Sequence, residues 1–132
     1  MRVLADSHAV VWYLRGSDRL SPPAAQALAE AEETDGIVVS IATLVDLWYV
    51  TQTTRKLADA HLAELRNALL TSAGFALQPI DLPIVDATMS IARDLLADPW
   101  DRFIVGTARM LALPLVTRDK AIRESRIVPV IW

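Results

Sequence analysis

The feature that most constrains the fold is the alternation of five short apolar runs with longer stretches of helical periodicity. The runs are rich in Val, Ile and Leu and are bounded by polar or turn residues, as strands buried on both faces of a sheet should be. They occupy residues 2–7, 36–40, 75–80, 113–117 and 127–132. The helical stretches lie near residues 8–15, 22–34, 41–54, 59–73, 83–97, 100–112 and 119–125. Strands separated by helices need right-handed crossovers, so the pattern predicts a three-layer α/β domain around a parallel sheet.

Length and composition set the broad class. A chain of 132 residues predicts one domain over residues 1–132, large enough to bury a real core. The hydrophobic fraction of 53% is slightly above the usual range, so we expect apolar surface to remain for a partner or a second copy. No apolar run is long enough to span a membrane, and the first residues do not form a signal peptide.

The charge balance and the absence of cysteine narrow the chemistry. Without cysteine the sequence indicates a cytoplasmic protein, and any metal must take oxygen or imidazole ligands. The net charge of −3 gives no global attraction to nucleic acid, so nucleic-acid binding would depend on a local basic patch.

Aspartates lie where strand C-termini and helix N-termini would meet. Asp6 ends the first predicted strand, and Asp119 follows the fourth in PLVTRDK. Asp98 and Asp101 open the helix that leads into the fourth strand, and Asp46 lies in the first two turns of the helix after the second strand. These ends share one edge of a parallel sheet, where ligands usually bind. We therefore expect aspartates from four segments to converge on one rim.

Two of these aspartates carry extra information. Asp46 is the only charged residue in IVVSIATLVDLWYVTQTT, so it needs a partner unless it lies on a solvated stripe with Thr43 and Thr53. Asp101 is expected to point inward, because apolar residues follow it at helical spacing on the face that should pack on the sheet. These residues are Ile104, Val105, Ala108, Leu111 and Ala112. By contrast, helix capping alone accounts for Asp98, with Pro99 at the first helical position.

A cluster of carboxylates predicts a divalent cation. The like charges repel unless a cation neutralises them, and hard oxygen ligands favour Mg²⁺ or Mn²⁺. Such a site suits phosphodiester hydrolysis. Arg102, Arg118 and Arg15 are candidate phosphate ligands, although ordinary surface salt bridging also accounts for each base.

Other chemistries are less well supported. Ser7, His8 and His61 do not make a hydrolase triad, and the sequence has no glycine-rich phosphate loop. His8 is either a metal ligand or, as we prefer, a hydrogen-bonded histidine at a helix start. Trp100, beside the acids, is the one tryptophan that we expect to contact substrate.

Five segments together resemble the PIN-domain ribonucleases, in particular VapC-type toxins of type II toxin-antitoxin pairs. The segments are LADSHAVVWYL, VSIATLVDLW, DPWDRFIVGTA, PLVTRDKAI and IVPVIW. They cover essentially the whole chain in family order. The resemblance implies a sheet of order 3-2-1-4-5, Mg²⁺ or Mn²⁺, and endonucleolytic cleavage of single-stranded or loop RNA, commonly tRNA or ribosomal RNA, which would slow translation. It also implies a homodimer and a small antitoxin that covers an apolar groove and blocks the acidic site.

The same resemblance assigns site residues. It carries the four family acids onto Asp6, Asp46, Asp101 and Asp119. Asp98 corresponds to a frequent additional acid, and Ser7 to a small hydroxyl position that could orient a water at the metal.

One departure from the family pattern leaves a second function open. The family usually has glutamate where this chain has Asp46, which is one methylene shorter. A misplacement of about 1 Å can cost about a hundredfold in rate. The alternative to a ribonuclease toxin is therefore a PIN-like binding module with weak or lost catalysis that acts through a protein or RNA partner.

Overall fold

The computed structural model describes residues 1–132, and all the predicted strands and helices are present. The strands are β1 (Val3–Ala5), β2 (Ile37–Ser40), β3 (Phe75–Gln78), β4 (Leu115–Val116) and β5 (Val130–Ile131). The helices are α1 (Ser7–Leu14), α2 (Pro22–Glu33), α3 (Ala42–Thr53), α4 (Asp59–Thr71), α5 (Leu82–Met89), α6 (Pro99–Leu111) and α7 (Lys120–Ser125).

The five strands form one parallel sheet in the order β3-β2-β1-β4-β5, which confirms the predicted topology. β1 is central and pairs with β2 and β4, so the carboxyl ends of these three strands are neighbours. β3 lies at an edge, and Asp81, which follows it, is thereby kept away from the centre of the sheet.

Apolar side chains cover both faces of the sheet. Along β1, Val3 and Ala5 join one core with residues of α1 to α4, whereas Leu4 joins a second core with Ile104 and Val105 of α6. Because successive strand residues point to opposite faces, this alternation produces the predicted helix, sheet and helix layers. None of the helices is both long and apolar enough to cross a bilayer.

The predicted helix over residues 83–97 ends early, since α5 stops at Met89. The following residues form turns around the Arg102 side chain, whose guanidinium donates to four backbone carbonyl oxygens. These acceptors are Ile91, Leu96, Ala92 and Thr88, at 2.6, 2.8, 3.3 and 3.5 Å. The bonds satisfy carbonyl groups that a longer helix would have paired internally. A contact between two separate segments thus overrides the local helical periodicity.

Helix starts follow the capping residues in the sequence. Ser21 accepts from the Ala24 backbone N–H at 3.3 Å at the start of α2, where Pro22 takes the first position. At α3 Ile41 occupies the N-cap position, and the Ser40 hydroxyl, one residue earlier, accepts from the Ala42 N–H at 3.2 Å.

Candidate active site

Asp6 lies at the centre of the carboxyl edge of the sheet and is fixed on both carboxylate oxygens. It is 3% exposed and is the N-cap of α1. Oδ1 accepts from the Ser7 backbone N–H at 2.8 Å, and Oδ2 accepts from the Thr117 hydroxyl at 2.6 Å. The first predicted acid therefore has a rigid orientation that two different strands determine.

Thr117 connects Asp6 to a second acid. Its Oγ1 donates to Asp6 and accepts from the Asp119 backbone N–H at 3.0 Å. Asp119 is the N-cap of α7 and accepts from the Ile122 N–H at 2.9 Å. The sequence interpretation missed Thr117, although a hydroxyl at the end of a strand directly before an acidic segment was a usable signal.

Asp46 projects from α3 into the same cleft as Asp6. Burial raises the pKa of Asp46, and the charges of Asp6 and Asp98 add to this effect. Hydrogen bonding from the Ser7 hydroxyl acts in the opposite direction. Thr43, one turn earlier on α3, is fully buried, so a solvated stripe does not account for Asp46.

Asp101 lies in the first turn of α6 and shows the strongest electrostatic perturbation of the acids. Burial, followed by the negative charges of neighbouring carboxylates, raises its pKa to about 7. In decreasing order these neighbours are Asp6, Asp98, Asp119 and Asp46. No Lys or Arg side chain forms an ion pair with any of these acids. The site therefore concentrates negative charge that the protein itself leaves unneutralised.

The four acids line one cleft of about 630 Å³, together with a group of basic and apolar side chains. The cleft is lined by Asp6, Ser7, His8, Val11, Trp12, Arg15, Ser17, Arg19, Asp46, Leu47, Val50, Lys56, Leu57, Asp101 and Asp119. Of the predicted phosphate ligands only Arg15 is among them. Arg19 and Lys56 were missed, because no spacing in the sequence connects the α1–α2 and α3–α4 loops to the acids.

The carboxylate oxygens in the cleft suit a hard divalent cation, and the side chains that carry them are not drawn tightly together. Carboxylate oxygens are the ligands that Mg²⁺ and Mn²⁺ prefer. No group of three or more acidic or histidine side chains is drawn together tightly enough to form a ready metal site. Carboxylates gathered in one cleft repel one another, and these charges, after burial, contribute to the raised pKa of Asp101.

Comparison with known proteins places this fold and site in a family. The model of the PIN domain family matches residues 3–127. The chain belongs to the PIN domain family. It is similar to "Ribonuclease VapC22" of Mycobacterium tuberculosis (strain ATCC 25618 / H37Rv), with 29% identity over 124 residues that cover 94% of this chain and 92% of that protein.

Two solved structures share the fold of this PIN domain. VapBC2 from Rickettsia felis, solved with a DNA fragment from its promoter, has a TM-score of 0.72 at 12% identity and covers 98% of this chain and 97% of that one. FitAcB from Neisseria gonorrhoeae has a TM-score of 0.67 at 21% identity and covers 98% and 96%. At these identities the likeness concerns the fold.

Within the PIN domain, His8 is held by hydrogen bonding at the helix start, as the sequence suggested. Its Nε2 accepts from the Arg118 backbone N–H at 2.9 Å, and its Nδ1 lies 3.7 Å from Asp6 Oδ2. The Nε2 lone pair is thus engaged by the end of β4, which leaves Nδ1 to face Asp6.

Four predicted site residues lie outside the cleft lining of the PIN domain. Asp98 accepts from the Trp100 and Asp101 N–H groups at 2.8 and 3.3 Å, so it caps α6 and acts on the acids through its charge. Trp100 packs near Tyr49, with ring centroids 5.9 Å apart. The Arg102 guanidinium is occupied by backbone carbonyl oxygens, which corrects its assignment as a phosphate ligand. Arg118 lies over the Trp12 ring, 5.8 Å from its centroid.

Proposed function

We propose that this PIN domain is a Mg²⁺- or Mn²⁺-dependent endoribonuclease toxin that cleaves single-stranded or loop RNA, in tRNA or ribosomal RNA, and so inhibits translation. The observation that carries the proposal is the convergence of four aspartates in one cleft, none of which forms an ion pair with a lysine or arginine. Burial first, and then the charges of the neighbouring carboxylates, raise the pKa of Asp101 to about 7. A divalent cation is the natural counter-charge for such a cluster.

The residues that would hold the cation are Asp6, Asp46, Asp101 and Asp119. When bound, a divalent cation supplies activation of the attacking water and charge neutralisation at the scissile phosphate. The Thr117 hydroxyl holds the Asp6 carboxylate and the Asp119 backbone N–H, and the Ile122 N–H holds the Asp119 carboxylate, so both acids give oxygen donors of fixed orientation. Ser7 lies beside them, where its hydroxyl can orient a water.

The names of the similar proteins support this assignment. A relative with 29% identity is called a ribonuclease, and solved structures of the same fold are described as toxin-antitoxin complexes. We infer a cognate antitoxin, a cytoplasmic location and a homodimer. Exposed apolar side chains on α3, including Val45, Trp48 and Tyr49, support the presence of a protein partner.

The test compares the wild-type protein with Asp101→Asn on single-stranded RNA, with Mn²⁺, Mg²⁺ or EDTA. The Asp101 side chain accepts no hydrogen bond, so this substitution removes a charge without breaking a contact. Asp6→Asn is a less clean variant, because Asp6 accepts from both Ser7 and Thr117. Asp94→Asn, at an exposed acid outside the cleft, is the matched control.

We expect cleavage by the wild type and Asp94→Asn with metal, and loss of cleavage in EDTA and in Asp101→Asn. Expression in cells should slow growth in the same pattern. Equal cleavage by Asp101→Asn and the wild type would reject the site.

The second candidate, a PIN-like binding module with weak or lost catalysis, is favoured by two observations. Asp46 is shorter than the family glutamate, and the acids do not form a ready metal site. Calorimetric titration with Mn²⁺ separates the two functions. No heat at millimolar metal, combined with tight binding to a protein partner, would support the module.

A further inference from the structure

The cleft that holds the four aspartates continues beyond them along two helices. On α1 the lining residues Ser7, Val11 and Arg15 repeat every four positions, so they form one stripe on the helix face. On α3 the lining residues Asp46 and Val50 have the same spacing. α1 and α3 contact each other, so the two stripes border a shared groove.

Along both stripes the chemistry of the side chains changes in the same direction, away from the acidic site. Each begins with a residue of the acidic site, continues with valine, and leads to a basic side chain at or beyond the end of the helix. Arg15 is the C-cap of α1, and Lys56 follows the end of α3 in the next loop. Arg19, in the α1–α2 loop, adds a third cation to the same lining. The groove is therefore acidic at one end, apolar in the middle and basic at the other end.

The apolar middle distinguishes a nucleotide chain from a simple anion. Val11, Leu47 and Leu57 are less than a tenth exposed and form the floor with the half-buried Val50. Inorganic phosphate needs only cations, whereas an unstacked base gains by covering an apolar surface. The cleft volume of about 630 Å³ is typical of sites that enclose a small part of a ligand chain.

The distance between the acidic and the basic end of the groove determines how many nucleotides of RNA can contact both ends. Asp6 and Arg15 flank α1 and are nine positions apart, which at about 1.5 Å per residue separates them by about 14 Å along the helix. At the axial rise of about 3.4 Å per nucleotide of a stacked strand, about four nucleotides would span that distance, and an unstacked, extended strand spans it with fewer.

The basic side chains are available for phosphate. Arg15, Arg19 and Lys56 are exposed, and none forms an ion pair with a carboxylate. Asp18, which lies between the two arginines in the chain, does not pair with either and does not line the cleft. In a chain of net charge −3, three cations around one concave surface form a local basic patch.

We propose that the cleft is a polarised track for single-stranded RNA, an inference that rests on the proposed function. The scissile phosphate lies at the four aspartates. The adjoining nucleotides follow the groove between α1 and α3 with bases against Val11 and Val50. A phosphate about three nucleotides away is bound by Arg15, Arg19 and Lys56.

The test measures binding separately from cleavage. Fluorescence anisotropy in EDTA follows labelled oligouridylates of two to eight nucleotides binding to the wild type and to the triple variant Arg15→Gln, Arg19→Gln, Lys56→Gln. The control triple variant is Arg66→Gln, Arg93→Gln, Arg109→Gln, which removes the same charge from exposed positions outside the cleft. Thermal melting of each variant verifies folding.

We expect the affinity of the wild type and the control variant to rise by about tenfold as the RNA grows from two nucleotides to five, because only the longer RNA reaches the cations. The triple variant should lose this gain. Its slope of log affinity against log salt should also be shallower than that of the wild type by about 0.7, since one phosphate contact on a single strand contributes about 0.7.

Two results would overturn the track. The first is a triple variant with the length dependence and salt slope of the wild type. The second is a triple variant that binds RNA normally but loses affinity for a poly-glutamate peptide, which would assign the patch to an acidic protein segment. Binding is measured in EDTA, so the track can be tested even if the protein does not cleave RNA. If the protein cleaves RNA but its affinity does not depend on RNA length, the track is rejected and the proposed ribonuclease function stands.

Discussion

The Thr117 hydroxyl donates a hydrogen bond of 2.6 Å to Asp6 Oδ2 across 111 positions of the chain. The Thr117 hydroxyl oxygen also accepts a hydrogen bond from the Asp119 backbone N–H at 3.0 Å. Thr117 is fully buried, so these bonds are shielded from water. One hydroxyl at the end of β4 thus sets the relative position of two acids that would hold a cation.

Replacing Thr117 with valine should destabilise the protein and weaken cation binding. Valine has the same shape but leaves the buried Asp6 oxygen and the Asp119 N–H without this partner, at a cost of about 1 to 3 kcal/mol. Urea denaturation measures the stability, and Mn²⁺ calorimetry measures the affinity. Thr117→Ser keeps the hydroxyl and should recover cation binding, and equal affinities for all three proteins would contradict the assigned role.

The raised pKa of Asp101 predicts how stability depends on pH in the absence of metal. The folded protein retains a proton on this carboxyl up to about pH 7, whereas an unfolded Asp loses it near pH 4. Between these values the folded state binds more protons, so stability falls as the pH rises through this window and stays low above it.

Asp101→Asn should therefore be more stable than the wild type at pH 8 in EDTA and nearly equal to it at pH 4. Thermal melting over this range measures the difference. Added Mg²⁺ should stabilise the wild type more than the variant at pH 8. A constant difference across the pH range would show that burial of charge at Asp101 is not its cause.

Gly106→Ala should destabilise the packing of α5 on α6. A Cβ at Gly106 would meet the Thr88 hydroxyl and lie 3.0 Å from the Thr88 Cα and N, which are backbone atoms and cannot rotate away. Overpacking of this kind costs about 1 to 3 kcal/mol. Chemical denaturation measures it. Adding Thr88→Ala removes only the hydroxyl clash and should restore part of the stability, whereas full stability of Gly106→Ala alone would refute the close approach.

Arg102→Lys should loosen the segment between α5 and α6. A lysine ammonium cannot reproduce the planar fork that donates to the carbonyl oxygens of Ile91 and Leu96. Hydrogen exchange should accelerate over residues 90–97 and remain unchanged in the distant α2. The salt dependence of RNA binding should not change, because the charge is kept and the side chain lies outside the cleft. A shallower salt slope would return Arg102 to the phosphate ligands.

The rim position of the acids was predictable because it depends on chain direction alone. Asp6 and Asp119 follow strands, and Asp101 begins a helix, so any right-handed parallel α/β arrangement brings them to one edge. The inward direction of Asp101 also followed from local periodicity, and Ile104, Val105 and Ala108 are buried as expected. Ala112, at the end of that stripe, is exposed because the helix has already ended there in a left-handed conformation.

The contacts that the sequence did not indicate concern residues whose partners lie far along the chain. The early end of α5 and the role of Arg102 depend on each other. The Arg102 guanidinium donates to carbonyl oxygens after α5 that a longer helix would have paired internally. Trp100 packs near Tyr49 of α3, a contact that the sequence did not indicate, and its contact with substrate stays a prediction.

The amino-acid sequence alone determined the α/β layers and the edge at which the carboxylates gather, because periodicity and chain direction are local properties that burial translates directly into architecture. The strand order was implied by the resemblance of five segments to a known family, and the structure confirms it. Only the tertiary structure decided which hydroxyl fixes Asp6, which arginine supports a loop and which cations share the cleft. The hydrogen-bond partner of a long side chain or a hydroxyl depends on which groups lie within reach, and those distances exist only after the segments have packed.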